Sequence, residues 1–167
     1  MEIIIILGTV LQGAAISLGM GASTLAIINF FVAIADGTID PGERKMMGVV
    51  YVILRVAMVL ILGTFLILLA AQYIIGNPIT LNLVQLTLIA VLYGNAILMT
   101  KRIMPSTVGP ALQASSWYTL GIMTALIPLG YTAFSYSQFL LGYATMIVFA
   151  ISLVNGTMAY LNQTTTG

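Results

Sequence analysis

Hydrophobic residues run along this chain in long unbroken stretches, and polar residues collect at a few interruptions. The first apolar stretch covers residues 3–35 and ends in a charged segment, 36–45. The second covers 46–75 and is interrupted by Gly76-Asn77-Pro78; the third, 79–100, stops at Lys101-Arg102. A segment bounded by Pro105 and Pro110 precedes the fourth, 111–133, and the fifth runs over 136–161, before a polar tail. Each run reaches the ~20 residues that carry a helix across a ~30 Å hydrocarbon layer. The runs are continuous, where the strands of a membrane barrel would alternate at period two. The pattern predicts an all-α integral membrane protein, a five-transmembrane-helix bundle forming one domain over residues 1–167.

The first two stretches exceed what a bilayer needs. At ~1.5 Å per residue the first would reach about 50 Å. The expectation is a continuous helix that tilts or projects beyond the lipid, rather than one broken at Gly19-Met20-Gly21. Met1-Glu2 supplies no basic segment of the kind that opens a secretory signal, so this stretch is expected to remain as the first span.

Charge sharpens the picture because there is so little of it. Charged residues make up 5% of the chain against 60% hydrophobic, with a mean hydropathy of +1.13; a soluble domain would carry about a quarter charged residues. Arg44 and Lys45 lie between the first two stretches and Lys101 and Arg102 between the third and fourth, while Gly76-Asn77-Pro78 and Ser135 add no cation. Basic connections stay in the cytoplasm. Five spans then put the N-terminus outside and the C-terminus inside, in a multi-pass protein expected in a bacterial or archaeal plasma membrane.

The chain has neither cysteine nor histidine. That removes disulfides, thiol chemistry, Cys- or His-ligated zinc and haem, and the commonest general base. No nucleophile–base pair is visible, and no acid, lysine or histidine lies in a span to relay protons. No enzymatic activity, cofactor or metal is expected, and a net charge of +1 gives no footprint for nucleic acid. The ten methionines are scattered like adaptable apolar filler.

Three features remain. Asp36-Gly37-Thr38-Ile39-Asp40-Pro41-Gly42-Glu43 resembles the second half of an EF-hand calcium loop, but the first ligand positions would fall on Val32 and Ile34, which have no side-chain oxygen. Helix caps account for every residue of the segment. Gly37 ends one helix; Asp40 is the N-cap of the next, Pro41 its first residue and Glu43 the closing member of a capping box. Gly13, Ser17 and Gly21 recur every fourth residue and make a small-residue face, a candidate helix-packing surface within the chain or between subunits.

The third feature is Arg55. It lies ten residues beyond Lys45, about 15 Å along a helix and near the bilayer middle. An Arg there costs ~2.5–3.5 kcal/mol on insertion scales, less when the side chain leans back toward the cytoplasmic end of its helix. Tyr51, one turn back, shares its face. Asn29, Asn95, Ser116 and Asn155 each lie six or seven residues inside the same boundary. The spacing predicts a polar cluster centred on Arg55 and hydrogen-bonded to at least one of them. Two functions fit: a non-catalytic subunit that packs with itself or other membrane subunits in the bilayer, or a small channel or carrier for an anionic or polar solute, with a cytoplasm-facing site at Arg55. A packed, dry Arg55 favours the first and a cavity reaching it favours the second.

Overall fold

The computed structural model of the chain describes residues 2–35, 40–75, 79–105, 107–130 and 133–165. Five helices account for nearly all of them: α1 (Glu2–Ala35), α2 (Pro41–Ile75), α3 (Ile79–Thr100), α4 (Val108–Leu126) and α5 (Tyr136–Thr165), with a 3-10 turn, Ile127–Leu129, after α4. Among the described residues there is no strand. Helices α1, α2, α3 and α5 are each long and apolar enough to cross a membrane. The 34-residue α1 runs without a break through Gly19-Met20-Gly21.

The helix ends differ from the limits of the apolar runs for local chemical reasons. Helix α2 starts at Pro41, five residues before the apolar run. Asp40 and Glu43 form the expected capping box: Glu43 N–H donates to Asp40 Oδ1 at 2.7 Å, and Asp40 N–H donates to Glu43 Oε2 at 3.0 Å. Helix formation begins where backbone donors find acceptors, not where lipid begins. The expected cap at Gly37 and the connection 76–78 lie outside the described residues.

A second capping box, not foreseen, opens α5. Ser135 N–H donates to Gln138 Oε1 at 2.8 Å, and Gln138 N–H donates to Ser135 Oγ at 3.3 Å. Helix α4 covers 108–126 rather than 111–133. Pro128 has no N–H to continue the helical ladder, and the chain turns off through the 3-10 segment to Gly130, left-handed at φ 76°. The end of α3 is a Schellman turn: Ile103 N–H donates to Leu98 O and Arg102 N–H to Met99 O, both at 3.0 Å. Its left-handed residue is Arg102, φ 56°, where glycine would be unstrained.

Helix α4 is the hub, packed against α1, α3 and α5. It is also the helix that lacks the apolarity of a membrane span, and its burial explains why. Gln113, Ser115, Ser116, Trp117 and Thr119 are all buried, so neighbouring helices, not lipid, surround them. Hydroxyl pairs tie the seams: Thr24 to Tyr118 at 2.6 Å, Ser116 to Tyr143 at 2.7 Å and Thr87 to Tyr136 at 2.7 Å. In an apolar medium such groups stay paired. The outer surfaces carry large exposed apolar side chains, among them Ile3, Val59, Leu141 and Phe149, as lipid-facing surfaces do.

Glycine lets α1 and α4 pack closely. Trp117, fully buried, lies over the backbone of Gly19, and a Cβ at that position would overlap its indole. The expected small face is elsewhere on α1. Space is open around a Cβ built on Gly13 or Gly21, and Ser17 is exposed. Gly8, Ala15, Gly19, Ala22 and Ser23 are small residues of α1 buried inside the bundle, on the opposite side of the helix from the predicted set.

Candidate functional site

Helices α2 and α4 do not approach each other; α1 and α3 bridge them. The space left between them is a cavity of about 310 Å³. All four helices line it, from Phe30 near the end of α1, Met47 near the start of α2, Thr100 at the end of α3 and Pro110 near the start of α4. It therefore sits at the end of the bundle where the basic segments lie. Met47, Met58 and Met99 supply flexible, polarisable walls.

Arg55 and Tyr51 enter this cavity from α2, one turn apart as the sequence predicts. Both side chains are exposed. The predicted hydrogen-bonded cluster does not form: among the described residues Arg55 has no hydrogen bond and no ion pair with any of its four expected partners. Asn29 is buried on α1, between Ala26 and Phe30 in sequence, and its Nδ2 has no partner. Asn95 is buried on α3 and donates to Gly109 O at 2.8 Å and to Gln113 Oε1 at 3.3 Å. Ser116 turns toward α5, donating to Leu112 O at 2.7 Å and pairing with Tyr143. Asn155 is exposed on α5 and does not line the cavity. The physical reason is rotational: equal depth does not put side chains on facing sides of their helices.

Gln113 is a buried polar residue lining the cavity that depth counting passes over. It lies one turn after Gly109, so both are on the α4 face toward α3, where Asn95 reaches them together. Asn95 fixes the amide: Gln113 Oε1 accepts from it, and Gln113 Nε2 has no hydrogen-bond partner among the described residues. Gln113 lines the cavity. Three donor groups thus border one space, the Arg55 guanidinium and the Tyr51 hydroxyl on α2 and a carboxamide N–H on α4. No carboxylate lines it. Such a lining offers donors to negative charge or to a strong hydrogen-bond acceptor.

The acidic segment has a separate role. The Asp40 and Glu43 carboxylates are engaged with backbone N–H groups at the start of α2; residues 36–39 lie outside the described residues.

No protein-family description matches the chain, and neither does a curated protein or a solved structure.

Proposed function

We propose that this chain is a non-catalytic membrane protein with five spans, α4 included, and that its inner cavity receives a small anionic or strongly polar solute from the cytoplasmic side. The N-terminus lies outside and the two basic segments inside. One observation carries the solute reading: Arg55, without a hydrogen-bond or ion-pair partner among the described residues, borders a cavity together with Gln113 and with no acid. A volume of about 310 Å³ suits a small solute. The cavity supports a carrier or channel over a subunit that is merely packed, because a packed Arg55 would have found its acceptors within the chain.

The test uses the absence of native cysteine. Ala26→Cys places one thiol in the cavity wall. A small membrane-impermeant thiol reagent added from the side of the basic segments should label it. Phosphate, sulfate or a small dicarboxylate, tried as a panel, should slow labelling, and Arg55→Gln should abolish that protection. An unlabelled thiol, or labelling indifferent to every anion, would count against the reading.

A second reading rests on the outward face of Gly13, Ser17 and Gly21. These residues have open space beside them within the chain, and small faces let backbones approach in lipid. Self-association through α1 is compatible with the cavity. Ser17→Cys should then cross-link two copies in membranes, whereas Val59→Cys on α2 should not.

A further inference from the structure

Arg55 also borders a second space. A groove of about 430 Å³ opens between α2 and α3 on the outer side of the bundle. Its walls are Met58 and Val59 from α2 and Ala96 and Ile97 from α3, with Val59 and Ile97 exposed where lipid would lie. Its other neutral polar groups are already engaged: Tyr93 donates to Met58 O at 3.0 Å and Thr100 to Ala96 O at 2.8 Å. Two charged side chains line it, Arg55 and Lys101, both cations and both exposed. Among the described residues neither side chain has a hydrogen bond or ion pair.

We infer that this groove holds one anionic phospholipid from the leaflet at the Lys101 end. Its phosphate lies between Arg55 and Lys101, and an acyl chain follows Met58, Val59, Ala96 and Ile97. Charge and apolarity decide the occupant together. Two cations without an acid call for an anion, and basic sites between membrane helices hold anionic headgroups. A free anion would gain the same charges but leave the hydrocarbon walls uncovered, whereas a phospholipid satisfies both. Guanidinium recognises phosphate through two parallel N–H donors, and a lipid phosphate drawn to Arg55 offsets the cost of a cation at that depth. The Schellman turn at the end of α3 sets where Lys101 leaves the helix.

The lipid site extends beyond the solute reading and separates from it by residues. Lys101, Val59 and Ile97 border the groove and not the inner cavity; Ala26 and Gln113 border the cavity and not the groove.

The experiment is native mass spectrometry of the purified full chain, offered phosphatidylglycerol or phosphatidylcholine with identical acyl chains. The expected result is one retained phosphatidylglycerol, preferred about thirtyfold over phosphatidylcholine, as two basic groups near a headgroup provide. Lys101→Gln should lower the preference about fivefold, and Lys101→Arg should keep it. Ile97→Trp, which fills the groove from its exposed wall, should remove the retained lipid while leaving both cations. Undiminished preference in Lys101→Gln, equal retention of the two lipids, or unchanged retention in Ile97→Trp would each overturn the inference. Displacement by millimolar inorganic phosphate would also overturn it, assigning the cations to a free anion. Anion protection of Ala26→Cys, measured in the Lys101→Gln background, reports on the inner cavity alone, so either site can fail without the other.

Discussion

The indole of Trp117 on α4 lies directly over the backbone of Gly19 on α1, leaving no room for a side-chain carbon. Two residues along, the same helix is open: a Cβ on Gly21 meets nothing within 4 Å. The pair makes a controlled comparison, one extra methyl on the same helix. Gly19→Ala should destabilise the bundle by about 1–3 kcal/mol through overpacking. Gly21→Ala should be neutral or slightly stabilising, because Ala is the better helix former. Unfolding in mixed micelles, followed by the fluorescence of the single tryptophan, measures both. Equal effects would mean that α1 and α4 do not meet at Gly19.

At the start of α2, Asp40→Ala removes the acceptor for Glu43 N–H. A loss of about 0.5–2 kcal/mol in the same unfolding assay is expected. Asp40→Asn, whose amide oxygen caps equally well, should lose little. Comparable losses in the two variants would show that the carboxylate charge, not the cap, matters.

Arg55→Ala gives an outcome opposite to the one expected for a hydrogen-bonded cluster. With no partner among the described residues, its removal leaves no amide orphaned and withdraws a charge that is costly in hydrocarbon. The variant should be at least as stable as the parent in lipid-free detergent. A loss of about 1–3 kcal/mol, the cost of an unsatisfied buried group, would place Arg55 in a cluster after all.

Orientation is tested by single thiols. Cysteines at Thr38 and Ser135 should label from opposite sides of sealed vesicles, with Thr38 on the cytoplasmic side shared with Lys101. Labelling of both from one side would rule out the proposed topology.

The chain's linear pattern determined much of this protein. Continuous apolar runs specify helices, because in hydrocarbon every backbone donor must be satisfied within its own segment. The spacing Asp40-Pro41-Gly42-Glu43 specifies the capping box, since all its bonds are local. The depth of Arg55 and its alignment with Tyr51 follow from helical rise and repeat alone. What the linear pattern left open is rotation. In a membrane the lipid side of a helix is as apolar as its packed side, so hydrophobic periodicity does not say which face turns inward. That is why the packed glycine of α1 is Gly19 and not Gly13 or Gly21, and why Gln113, not Ser116, faces the cavity. Tertiary structure decided these points, and with them that Arg55 borders open space instead of the amides at its own depth. It also made α4 the hub: neighbouring helices bury its polar residues, a contact no single segment encodes.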